Sequence, residues 1–124
     1  MVAIRTNVEA AVVAHLSSLG FECYADVPAD PPGSYCTVDR TGGTHSEHVD
    51  DATVTVDCVA PTRYEASELA LAVDAAMESL VSKPRICRVD KQSIQNLSHI
   101  IAGMEGLYRC IYSVASADVP ADNI

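Results

Sequence analysis

Between Ala52 and Val59 the side chains alternate in character, with Ala52, Val54, Val56 and Cys58 on one side and Thr53, Thr55 and Asp57 on the other. A period of two predicts a strand whose one face is buried and whose other face is hydroxyl and carboxylate. Ala60-Pro61 ends it. Thr62-Arg63-Tyr64-Glu65 then has the form of a capping box: the Thr62 hydroxyl takes the Glu65 N–H and the Glu65 carboxylate reaches back to the N–H of Thr62. Such a cap is worth about 1 kcal/mol. Beyond it the period becomes helical, with Leu69, Val73, Met77 and Leu80 on one stripe and Glu68, Asp74 and Glu78 left for solvent. Ser82-Lys83-Pro84 stops that helix. A strand and a long amphipathic helix, joined by a short turn, each need a partner for their apolar face.

The rest of the chain supplies those partners. Thr6-Asn7-Val8-Glu9 is a second capping box, opening a helix to about Leu19 whose stripe is Val8, Val12 and Leu16, flanked by Ala11 and His15. Gly20 stands where a left-handed cap ends it. Phe21–Val27 alternates as a first strand, and Pro28 to Gly33, with three prolines and a glycine, is an irregular connection. Tyr35–Arg40 is a second strand, broken by Thr41-Gly42-Gly43. Thr44–Asp51 is polar, too long for a tight hairpin turn, and is expected to project from the sheet as a loop. Arg85–Asp90 is a fourth strand with Arg88 and Asp90 outward. Ser93–Met104 reads as a loop with one helical turn, and Leu107–Val114 as the last strand. The order is helix, three strands, helix, two strands. It predicts an α+β domain over residues 1–117: a mostly antiparallel sheet of about five strands with both helices on one face. Residues 118–124 are expected to form a flexible acidic tail.

Length and charge narrow the function. With 124 residues the chain is sized for one domain with a core of its own. A formal charge of −9 argues against gripping a nucleic-acid backbone, which takes a cationic face. It does suit a passage along which DNA slides without sticking. No apolar run is long enough to span a membrane, and Met1-Val2-Ala3-Ile4-Arg5 lacks the pattern of a secretory signal, so synthesis in the cytoplasm is expected. Five cysteines without a C-x-x-C pair read as reduced core residues, in phase with apolar neighbours at Cys36, Cys58, Cys87 and Cys110.

His45, Glu47, His48, Asp50 and Asp51 form the most chemically suggestive stretch. Two imidazoles and three carboxylates are donors a divalent ion accepts, but a glycine-led loop does not preorganise them, and the plainer reading is a solvated or partner-contacting loop. No phosphate-cradling glycine loop and no G-x-S-x-G elbow is present. With its thiols expected to be buried and inert, the chain is not read as an enzyme and no cofactor is implied.

Pro31-Pro32, Tyr35-Cys36-Thr37-Val38-Asp39-Arg40-Thr41-Gly42-Gly43, the acidic stretch after it, Thr53-Val54-Thr55-Val56-Asp57-Cys58, the step Ala60-Pro61-Thr62-Arg63-Tyr64-Glu65-Ala66 into a long helix, and Tyr108-Arg109 together resemble the tail terminator, or tail completion, proteins of long-tailed bacteriophages. The resemblance covers about residues 6 to 116 and is least marked over Ser93–Met104. It implies a structural virion protein, a homo-oligomer that closes into a hexameric ring, caps the tail tube, stops its polymerisation and offers the surface for head–tail joining. The implied partners are the major tail tube protein and a head-completion or connector protein, with DNA passing through the ring and no membrane involved. The implied location is the tail–neck junction of the virion, after synthesis in the bacterial host. Arg40, Gly42, Gly43, His45, Glu47, His48, Asp50, Asp51 and Arg63 are the candidate subunit or tube contacts. A neighbouring neck or head-closure protein, and a cytoplasmic module binding a metal or small ligand through His45 and His48, are the alternatives.

Overall fold

The computed structural model describes residues 3–100 and 105–120. Its elements are β1 (Ala3–Ile4), α1 (Val8–Ser18), β2 (Cys23–Tyr24), β3 (Tyr35–Ser46), β4 (Val49–Ala60), α2 (Arg63–Glu78) with a 3-10 turn at Ser79–Ser82, β5 (Ile86–Asn96), β6 (Gly106–Ala117) and β7 (Val119–Pro120). Five strands form one mixed sheet in the order β2-β3-β4-β6-β5, and β1 pairs with β7 in a separate antiparallel ribbon. The α+β architecture read from the sequence is therefore the observed one, with two changes. The first strand shrinks to Cys23–Tyr24, because the chain bends at Ala25-Asp26 before the prolines, and it runs parallel to β3 rather than antiparallel.

Both helices lie on one face. Val8, Val12 and Leu16 of α1 and Ala66, Ala70, Val73 and Met77 of α2 pack on Cys36, Val38, Ala52, Val54, Val56, Cys58, Cys110, Tyr112 and Val114 of the sheet, all essentially without solvent contact. Each of the larger apolar side chains contributes roughly 1.5–3 kcal/mol by leaving water. The expected α2 stripe is rotated slightly: Leu69 is only partly covered, while the alanines bring the helix close to the sheet.

The caps follow the sequence at one helix and differ at the other. The Thr62 hydroxyl accepts the Glu65 N–H at 3.2 Å, the first of the two bonds its box predicts, while the return bond from the Thr62 N–H to the Glu65 carboxylate is not formed among the described residues. In α1 the cap is Asn7, whose Oδ1 accepts the Ala10 N–H at 3.1 Å, rather than Thr6. Glu9 consequently has no box to close, and its carboxylate accepts the backbone N–H of Arg40 instead. Gly20, with φ +95°, ends α1 in the left-handed conformation expected of it. His15 is buried on the flank of the stripe, its Nε2 lying 3.0 Å from the Ala76 carbonyl oxygen and 2.9 Å from Ser79 Oγ, which ties α1 to the end of α2. Asp74 is not simply solvated: it accepts from the Tyr112 hydroxyl at 2.9 Å and pairs with Lys91 at 2.9 Å.

Three further expectations are corrected. Residues 93–96 continue β5 as a strand because they pair with β6 as far as Asn96 opposite Tyr108; residues 101–104 of the expected loop lie outside the described residues. Asp118–Pro120 is not frayed, since Val119 and Pro120 pair with Ile4 and Ala3; the remainder of the expected tail, 121–124, lies outside the described residues. Cys87 is exposed. The ladder shifts register between Ile86 and Arg88, and the extra residue in that bulge loses its place in the inward alternation.

Candidate functional site

The stretch expected to project as a loop is the end of a hairpin. β3 runs through both glycines to Ser46 and β4 starts at Val49, with Glu47 (φ +48°) and His48 (φ +70°) as a two-residue turn. Positive φ at both turn residues matches the twist of paired strands. Gly42-Gly43 does not break the strand. The ladder shifts at Thr41, and at Gly43 (φ +114°) a Cβ would sit 2.2 Å from the Asp51 carbonyl oxygen. Glycine there lets the two backbones close up.

On that ladder the candidate charges are consumed by internal pairs. Arg40 grips Asp50 with both terminal nitrogens, at 2.5 and 2.7 Å, and Asp50 is nearly sealed from solvent at 6% side-chain exposure. The Asp50 carboxylate holds the Arg40 guanidinium above its ordinary pKa. Asp51 points to the opposite face, where Ser113 Oγ at 2.6 Å and Arg88 at 3.0 Å hold its carboxyl below the usual range. His45 sits between Asp118, 2.8 Å from Nε2, and Arg5, 3.3 Å from Nδ1. Because Arg5 can only donate, Nδ1 accepts and Nε2–H donates to the 3%-exposed Asp118. Glu47 and His48 are left at the tip. Arg63 opens α2 beyond the far end of β4, about 35 Å away by strand rise. The nine candidate residues thus fall into separate places, and among the described residues no group of three His, Cys, Asp or Glu side chains comes together to hold a metal ion.

What the sequence did not single out is the second face of the sheet, over which no helix of the described residues packs. Register sets Thr37, Asp57, Arg109 and Gln95 in one row, Asp39, Thr55, Ile111 and Ser93 in the next, then Gly42, Thr53, Ser113 and Asp90. Arg109 holds Asp57 with two bonds of 2.8 and 3.1 Å, and Thr41 and Thr55 share a hydroxyl bond of 3.1 Å. A groove of about 640 Å³ runs along this face to the β2–β3 edge, lined by Asp26, Asp39, Thr41, Asp57 and Arg109 among others. The Thr53, Thr55, Asp57 alternation was the available signal; Arg109 joins Asp57 only once β6 is registered on β4.

The thiols divide by exposure. Cys36 and Cys58 are buried with their sulfurs 3.9 Å apart. Hydrogen bonds with Cys110 and Cys36, and then burial, push the Cys58 thiol up; burial, then Cys36, pushes Cys23 up to about 12. Cys87 alone among the five is exposed. A maleimide reagent should therefore label the folded protein once, at Cys87, with the other four slower by at least about a thousandfold because they require opening of the core. Mass spectrometry of the labelled peptides checks this, and a second rapidly labelled cysteine would contradict the packing described.

A scan against protein-family models and a search of the curated proteins found no match to the chain.

Proposed function

We propose that the protein is a structural, ring-forming subunit of a phage tail, a tail terminator rather than an enzyme. The observation that carries this reading is a five-stranded sheet with one face bare of helices among the described residues and two unlike edges, β5 on one side and, on the other, β3, paired with two-residue β2 and met at the Arg40 N–H by Glu9 of α1. A heterologous ring is built by joining one patch of a subunit to a different patch of the next, and two unlike edges on opposite sides of a sheet suit that closure. The bare face mixes hydroxyls with carboxylates, and its arginines, Arg88 and Arg109, are held by Asp51 and Asp57, which suits a surface past which DNA moves without adhering. In this role the ring caps the tail tube, halts its growth and presents the surface for head joining, at the tail–neck junction of the virion. Among the described residues no helix is long and apolar enough to cross a membrane.

The test is binding to polymerised tubes of the cognate tail-tube protein, viewed by electron microscopy, with light scattering of the free protein over a wide concentration range. Ring-shaped density of about six subunits at one tube end is expected. Absence from tube ends, at protein concentrations that saturate any binding, would overturn the reading.

A further inference from the structure

The chain's few cations are not spread evenly. Between Lys83 and Asn96 stand four of its eight lysines and arginines and one of its seventeen acids, so the stretch is cationic within a strongly acidic protein. That stretch is the turn into β5 and β5 itself, one edge of the sheet. Between Phe21 and Asp39 stand four acids, Glu22, Asp26, Asp30 and Asp39, and no lysine, arginine or histidine. That stretch forms β2, its irregular connection and the start of β3, the opposite edge. The four acids are exposed, and none makes an ion pair among the described residues. On the other edge Lys83 is exposed and likewise without an ion pair there, as is Arg85, which is half-buried and held by its left-handed backbone (φ +70°) where the chain turns into β5.

We propose that the groove at the β2–β3 edge of one copy receives the Lys83–Lys91 edge of a second copy, a head-to-tail contact set by opposite charge. This rests on the ring reading and names the surfaces it would use. Copies rotated about an axis that runs along the strands keep one strand direction, and β5 runs opposite to β3 within the sheet, so in such a ring the two edges meet antiparallel. Backbone pairing is not what joins them. β5 carries bulges at Cys87 and Gln92, which turn an edge away from a new strand, and the Arg40 N–H of β3 is already taken by Glu9. The contact is made by side chains, with Asp26 and Asp39 lining the groove and the cationic turn entering it. Neutralising the otherwise unpaired acids of one copy with the spare cations of the next gives the association a direction, because acid edge against acid edge is repelled.

The experiment is sedimentation velocity of the full chain at rising protein concentration and at about 50 and about 500 mM salt, where surface electrostatics are strong and largely screened respectively. The wild type should self-associate, more weakly at high salt. Lys83→Glu with Arg85→Glu, and separately Asp26→Lys with Asp39→Lys, should each weaken self-association by about tenfold or more. An equimolar mixture of the two double variants should associate again, since each then offers the other a complementary edge; that recovery also shows that both variants fold. A wild type that stays monomeric throughout overturns this contact, and so do rings that neither double variant disturbs. Neither result touches the ring reading, which stands or falls on binding to tube ends.

Discussion

Replacing Arg40 by methionine should destabilise the fold by about 3 kcal/mol, although Arg40 is itself one-third exposed. The loss arises at Asp50. Its carboxylate is nearly sealed from solvent and takes both its bonds from the Arg40 guanidinium. Cutting one partner leaves a charge in a poorly solvated place, whereas removing both leaves none. The double variant Arg40→Met, Asp50→Asn should therefore recover more than half of the loss. Urea denaturation monitored by circular dichroism measures it, as a fall in midpoint with little change in slope. A single variant as stable as the wild type would mean that Asp50 finds other solvation. The same pair explains why the strand bulges beside it: the shift at Thr41 lets the Arg40 side chain lie along the hairpin, its Nε donating to the Gly42 carbonyl oxygen at 3.1 Å.

Gly106→Ala should be as severe, for a steric reason. A methyl group there would sit 2.1 Å from the Thr62 carbonyl oxygen and 2.9 Å from that of Ala60. Both are backbone atoms. Thr62 is the cap of α2, and its carbonyl oxygen already accepts the Ala66 N–H at 3.0 Å. Relief requires moving the helix start or parting the first pair of the β4–β6 ladder, where Gly106 faces Ala60. About 3 kcal/mol is expected, a fall in Tm of about 10 °C. Gly33→Ala is the control, because its new methyl would meet only Pro61 Cγ at 3.8 Å, an ordinary contact. Differential scanning calorimetry of the two variants distinguishes local crowding from a general intolerance of alanine.

The helices and the inner strands were legible because each carries its own period. Val8, Val12 and Leu16, or Val54, Val56 and Cys58, need no knowledge of the rest of the chain to mark a buried face. What could not be read depends on distant partners or on backbone. Glu47 and His48 are not residues that advertise a two-residue turn, yet they adopt positive φ because the flanking strands pair on both sides of β4. Ile94 looks helical by spacing and becomes a strand residue because Cys110 lies opposite it. Asp118 looks like the start of a tail, and is fixed instead by His45 and by its N–H bond to the His48 carbonyl oxygen, contacts some seventy residues away in the chain. The candidate cluster dissolved for the same reason. Neighbours in sequence on a strand face opposite ways, so Asp50 turns to Arg40 and Asp51 to Ser113.

The sheet is two hairpins, β3–β4 and β5–β6, sewn together along the single seam between β4 and β6. The hairpins close locally and fast, whereas the seam joins residues such as Val49 and Ala117 and must wait for a long loop to close. Until then the inner border of β4 is an open twelve-residue edge with Val54, Val56 and Cys58 uncovered, the kind of strand that templates aggregation. A nascent chain passes through this state for as long as β6 remains unsynthesised. Asp51 and Asp57, whose partners Arg88, Ser113 and Arg109 come later in the chain, are acids that repel a second copy at the moment when the edge has nothing else to protect it.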